Sequence, residues 1–196
     1  MTPEIRAFEF ALGLFSVLIG LAVADVATSF HRLIRHPGFI RWDPLALLAA
    51  LYALLMSVGM WFDLWGIRGV ASTRQFFFYA VMVLQLFLLF LISAASLPDE
   101  PAEMPDLRAY YEHNRRYFWT LVAIFQVLYA SLGVYFMGSY IRRESPAVSA
   151  SFLVVWALLV LLPLALRVVR ARWLQYATLI ALFAVNLWHY APYAIN

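Results

Sequence analysis

Asp25 is the residue of this chain most suggestive of chemistry, because it lies in GLAVADVATSF (20–30) among apolar neighbours. A carboxylate there is costly unless it is paired, protonated or wetted, so it is expected to face protein or water rather than acyl chains. Two roles follow. One is an ion pair or hydrogen-bonded lock between helices, with Arg32, Arg115, Arg116 and Arg167 as partners. The other is a protonatable or cation-binding group on a permeation path that Ser29, Gln85 and Gln126 would share. Gln85 and Gln126 near mid-segment also suit interhelical hydrogen bonding, worth about 1 kcal/mol each.

The same stretch presents Ser16, Gly20, Ala24 and Thr28 at four-residue spacing, a small-residue stripe along which another backbone can pack closely. Asp25 lies about 100° round the helix from Ala24, so it borders that seam. Asp63, in WFDLWGIR (61–68), is flanked by tryptophans and by Arg68 and reads as a surface pairing at an interface. Asn186, Trp188, His189 and Tyr190 read as a second interfacial cluster.

Leu107 to Tyr117 (LRAYYEHNRRY) sets Arg108, Glu112 and Arg116 at i,i+4 intervals, as expected of a helix crossing the headgroups. Tyr110, Tyr111, Tyr117 and Trp119 suit an aromatic belt. Lipid anchoring is the plainer role of this segment. The sharper one is a basic vestibule of Arg32, Asn114, Arg115, Arg116 and Arg167 for an anion or anionic headgroups.

Metal and cofactor chemistry find little support. The four histidines (His31, His36, His113, His189) fall at segment ends, and only His31 with His113 could face each other as haem ligands. No cysteine is present, which removes disulfides and thiolate sites. Walker, GxGxxG, HExxH and GxSxG patterns are absent. Arg167-Val-Val-Arg170 has voltage-sensor spacing, but two arginines at a helix end fit a positive-inside anchor better. No cofactor, metal or nucleic acid is expected, and catalysis is the least supported activity.

These residues must be positioned by membrane helices. Of 196 residues, 65% are hydrophobic and 13% charged, against roughly 25% charged in soluble domains. Mean hydropathy is +0.80. A span needs about 20 apolar residues, and the chain divides into six such segments: 8–35, 44–66, 73–97, 107–141, 147–168 and 172–191. The expected fold is all-α, one transmembrane domain over 1–196. Pro37-Gly38 ends the first helix, Asp43-Pro44 opens the second, Ser72 with Gln75 caps the third and Ser145-Pro146 the fifth. Pro163 predicts a kink in the fifth. Pro98 to Asp106 holds three prolines and four acids and reads as the longest loop. The fourth segment, 35 residues, would be about 52 Å of helix, so part of it must leave the hydrocarbon.

All 14 basic residues are arginine, which fits a GC-rich bacterial genome and an inner-membrane location. Arg32, Arg35, Arg41, Arg108, Arg115, Arg116, Arg167, Arg170 and Arg172 make nine on one side; Arg6, Arg68, Arg74, Arg142 and Arg143 make five on the other. The positive-inside rule then puts the larger set in the cytoplasm and both termini in the periplasm. Met1 to Ala7 lacks a cleavable leader pattern. At an offset of 110, Leu14–Leu18 aligns with Ile124–Leu128, and Ser29–Arg32 with Ser139–Arg142, a weak trace of a three-plus-three inverted repeat. Tyr135 stands opposite Asp25.

GLAVAD before an arginine-bearing helix end, WFDLW, and Asp106 to Phe118 (DLRAYYEHNRRYF) together resemble an uncharacterised family of small bacterial six-span integral membrane proteins. The resemblance spans nearly the whole chain and implies the architecture, with no activity attached. The preferred function is transport, a channel or carrier for a small ion or solute acting as a homo-oligomer. The alternative is a non-catalytic assembly or regulatory partner of another membrane protein. An intramembrane enzyme acting on lipid or prenyl substrates comes third.

Overall fold

The computed structural model describes the backbone of residues 3–35, 40–66, 76–100, 105–141 and 146–191, and side chains over 9–35, 40–66, 76–100, 105–134 and 154–191. Six helices run in order: α1 (Pro3–Arg35), α2 (Pro44–Gly66), α3 (Phe76–Ser96), α4 (Leu107–Ile141), α5 (Pro146–Leu166) and α6 (Arg172–Tyr190). No strand occurs among the described residues. A single parallel bridge ties Arg41 to Asp106, with the Arg41 amide donating to the Pro105 carbonyl and the Leu107 amide to the Arg41 carbonyl. The Pro37-Gly38 break, the Ser72–Gln75 cap and Ser145 lie outside the described residues.

Four helical stretches are long and apolar enough to cross a membrane: Glu9–Arg35, Pro44–Gly66, Phe76–Ser96 and Leu107–Val134. The described apolar run of α5, Val154–Leu166, is shorter. Large apolar side chains point outward around the bundle, among them Phe10 and Leu21 on α1, Phe87 on α3, Leu161 on α5 and Ile180 on α6. Such a perimeter suits acyl chains rather than water.

The core forms around α2, which packs on α1, α3, α4 and α6. Ala46, Ala49, Ala50, Ala53, Ser57 and Gly59 are all buried on it, and residues this small let several neighbours approach one axis. The remaining helices follow one another around it in the order α1, α3, α4, α5, α6. α1 packs along α3, whereas their counterparts under the 110-residue offset, α4 and α6, show no comparable packing among the described residues. The two halves are therefore packed unequally.

Local chemistry explains two helix ends. Asp106 caps α4, its Oδ1 accepting the amides of Arg108 (2.9 Å) and Ala109 (3.1 Å), so this acid of the proline-rich loop belongs to the helix start. α5 stops at Leu166 rather than at 168. The chain turns there, with the Val168 and Val169 amides both donating to the Ala165 carbonyl, and Arg115 takes up carbonyls of the last turn. Pro163 is buried within α5.

Candidate functional site

The arginine-rich end of the bundle carries a chain of alternating charges drawn from three helices. Asp43 precedes α2 and is 5% exposed. Its Oδ1 accepts a hydrogen bond from Arg172 Nη2 at 2.5 Å, and Arg172 Nη1 reaches Glu112 Oε1 at 3.2 Å. Glu112 Oε2 lies 3.9 Å from Arg115 Nε. Arg115, on α4, is 3% exposed, and its Nη1 donates to the carbonyls of Leu166 and Val169, the latter at 2.9 Å. A guanidinium can be buried here because the α5 terminus offers unpaired carbonyls and the negative end of its dipole, with a carboxylate alongside.

Beside this network lies a cavity of about 370 Å³ lined by Glu112, His113, Arg115, Arg116 and Arg170. It includes two of the five residues expected to form a basic vestibule, Arg115 and Arg116. The others stand elsewhere. Arg32 binds the Asp99 carbonyl (2.7 Å), Asn114 is half-buried without lining the cavity, and Arg167 is exposed where α5 ends. The helical pairing of Glu112 with Arg108 and Arg116 is replaced by bonds to Arg172 and Arg115, because Glu112 is turned toward α6. In the sequence Asp43 stands out only as a helix cap and Arg172 only as one of nine arginines on the more basic side. Their signal was an acid and a base at two helix starts on one predicted side.

Asp25 is half-buried on α1, with Oδ2 sealed and without a hydrogen-bond partner. It feels the charges of Asp99 and Arg32. Asp99 Oδ1 is 3.4 Å from Ser29 Oγ and 4.0 Å from Arg32 Nη1, and nearby Tyr110 donates its hydroxyl proton to the Leu97 carbonyl (2.9 Å). Asp25 and Ser29 thus belong with the start of the acidic loop. The two glutamines do not join them. Gln126 Nε2 donates to the Tyr52 hydroxyl (3.1 Å), Gln85 Nε2 lies 3.9 Å from Met60 Sδ, and both side chains are buried against α2. Gln85 sits eleven residues before the end of α3, about 16 Å along the axis. Buried Leu86, Leu88, Leu89 and Ile92 fill that interval. The four residues expected to share a polar path occupy three separate places.

The small-residue stripe faces outward. Gly20, Ala24 and Thr28 are exposed, a Cβ added at Gly13 or Gly20 would meet nothing within 4 Å, and half-buried Ser16 spends its hydroxyl on the Leu12 carbonyl. Within the bundle α1 packs instead through Phe15, Ile19, Ala22, Val26, Ser29 and Leu33, a seam of alternating four- and three-residue steps. Larger side chains interlock better with α3, as where the Phe15 ring stacks on Tyr79 at 6.2 Å.

The opposite end has its own cluster. Asp63 Oδ2 accepts hydroxyl protons from Tyr129 on α4 (2.9 Å) and Tyr190 on α6 (2.8 Å), while Oδ1 lies 3.5 Å from His189 Nε2. Gly59, one turn before Asp63, makes room for the Tyr190 ring, which a Cβ there would overlap. Tyr129 stacks on Phe125 and on Trp156. Asp63 therefore ties helices together within the bundle, whereas its flanking tryptophans and Arg68 suggest a surface pairing; Arg68 lies outside the described residues. Asn186 Nδ2 donates to the Leu182 carbonyl of its own helix and Trp188 is exposed. Tyr129 gave no sequence signal, and Tyr190, expected in an interfacial cluster with His189, gave none that tied it to an acid 127 residues away.

Of the histidines, His113 lines the cavity, His189 meets Asp63, His31 is exposed on α1 and His36 lies outside the described residues. No group of three or more potential metal ligands occurs among the described residues. No protein-family model, no curated protein and no solved structure matches this chain.

Proposed function

We propose that this chain is a six-span membrane protein of the bacterial inner membrane that works as a non-catalytic assembly partner, joining through α1 to a second copy of itself or to another membrane protein. The observation that carries this reading is the face of α1. Gly13, Gly20, Ala24 and Thr28 leave the backbone open on the side turned away from the bundle. In lipid, where no hydrophobic force drives helices together, close backbone approach along small residues is a principal source of association. Among the described residues the interior polar groups are mixed: Gln126 bonds Tyr52 and Gln85 meets Met60 across helices, Ser57 and Ser96 bond their own helices, and Ser93, Gln175 and Thr178 have no hydrogen-bond partner.

The arginine-rich end is cytoplasmic in this reading, by the positive-inside rule. A chain without cysteine allows a clean test. Thr28→Cys is expected to form cross-linked dimers or adducts in native membranes, while Val58→Cys on the exposed side of α2 is not. Gly20→Ile combined with Ala24→Ile should abolish the Thr28→Cys adduct without unfolding the chain. Equal cross-linking from both cysteines, or none from Thr28→Cys, would overturn the proposal.

A second reading, transport of a proton or small cation, draws on the sealed, unpartnered Oδ2 of Asp25 beside Ser29 and Asp99. Ion flux in proteoliposomes that Asp25→Asn abolishes would favour it. Vesicles that stay tight to protons and monovalent ions would remove it.

A further inference from the structure

We propose that the cavity at the arginine-rich end, between the first turns of α4 and the loop joining α5 to α6, is a binding site for a phosphate group.

The charge balance of the lining points to an anion. Arg115, Arg116 and Arg170 supply three positive charges and Glu112 one negative, leaving two positive charges (3 − 1 = 2) around about 370 Å³. That volume is at the lower end of ligand pockets, which run roughly 300–1,000 Å³, and it holds a headgroup or a hydrated anion. The Glu112 carboxylate is moreover already shared between Arg172 and Arg115, so it does not answer the remaining cations. Arg116 and Arg170 form no ion pair among the described residues.

Arg115 shows that the site is built rather than incidental. The side chain is 3% exposed, its Nη1 is held by two α5-end carbonyls, and its Nε is sealed against the Glu112 side. The nitrogen left over, Nη2, is neither bonded nor sealed, and the residue lines the cavity. A buried guanidinium held at Nη1 by two carbonyls and lining an open space is pre-organised as a donor. Arg116 on the same helix and Arg170 on the loop also line the cavity, and His113 adds a ring nitrogen. Donors converging from separate elements match the several oxygens of a tetrahedral phosphate better than the two coplanar oxygens of a carboxylate. Exposed Tyr117 and Trp173 at this end suit the headgroup level, where such groups abound.

The phosphate could be that of an anionic lipid or free in solution, and two probes separate these sources. The full chain in detergent is titrated with phosphatidylglycerol against phosphatidylcholine by native mass spectrometry, and with millimolar inorganic phosphate against chloride by thermal shift. Binding of the lipid alone assigns a headgroup, binding of inorganic phosphate alone a free anion, and binding of both a site open to either. In each case Arg116→Gln with Arg170→Gln should weaken binding at least about tenfold. Arg41→Gln with Arg108→Gln, at the same end but outside the cavity, should change it by less than about twofold. Arg170→Gln alone, in a loop, serves where the double variant does not fold, and should weaken binding several-fold. Equal loss from both double variants, or no preference for either probe over phosphatidylcholine and chloride, overturns the proposal. This inference stands independently of what α1 binds.

Discussion

The two ends of the bundle solve one problem in different chemistry. At each, an acid on or just before α2 joins α4 and α6: Asp43 through Arg172 to Glu112, and Asp63 through the hydroxyls of Tyr129 and Tyr190. The first clamp is made of full charges and includes a guanidinium three-quarters buried; the second offers one carboxylate two neutral donors and a histidine. Charge pairs hold strongly but leave a large desolvation cost when one partner is lost, whereas neutral donors can be removed singly at little more than the value of one hydrogen bond. At the charged end a cavity lies beside the clamp, and three of its five lining residues are arginines.

The comparison is broken most directly at Arg172. Arg172→Gln strands buried Asp43, leaves Glu112 with Arg115 alone, and should destabilise the detergent-solubilised chain by about 3 kcal/mol, the low end for a broken buried pair because the guanidinium is partly exposed. A loss under about 1 kcal/mol in thermal or denaturant unfolding would show that water, not the arginine, answers Asp43.

Next comes Gly59→Ala, which sets a methyl group against the Tyr190 ring and should cost about 2 kcal/mol by overpacking. Tyr190→Ala in the same chain should recover much of that loss. Additive costs in the double variant would mean that the ring swings clear without straining the Asp63 cluster.

Smaller still, Tyr129→Phe and Tyr190→Phe should each cost about 1 kcal/mol at the aromatic end. Both hydroxyls share Oδ2 of Asp63, so a double-mutant cycle should give a non-zero coupling. Exact additivity would separate them.

The smallest effect carries the opposite sign. Gln85 Oε1 is buried without a partner, so Gln85→Leu should be neutral or stabilising by a few tenths to about 1 kcal/mol. Gln126→Leu, which orphans the Tyr52 hydroxyl, should instead destabilise by about 1 kcal/mol. A clear loss from Gln85→Leu would point to a bonding partner for that oxygen.

Much of the helical framework was legible because it rests on local rules. Pro44 and Pro146 open helices where a proline lacks nothing by having no amide hydrogen, and the apolar run lengths mark out segments of bilayer size. Asp25 was legible as an anomaly, and the structure gives it a sealed oxygen near Asp99 and Arg32. The small-residue stripe was legible as a pattern, but which side of α1 it would occupy was not. A four-residue period fits a seam inside the bundle or a face outside it, and Phe15, Ile19 and Leu33 on the competing face took the interior. Glu112 was read against its own helix because i,i+4 partners are visible in sequence, while Arg172, 60 residues away, is not.

By itself the sequence determined the helical content, the apolar runs long enough to cross a membrane and the approximate ends of several helices, since each depends on composition or on a few adjacent residues. Only the tertiary structure decided which acid meets which base, that Asp63 gathers two distant tyrosines, and that buried Arg115 lines a cavity. Pairings of that kind depend on how helices are rotated about their axes. That rotation is set by the sum of many weak packing contacts, and no short window of sequence records it.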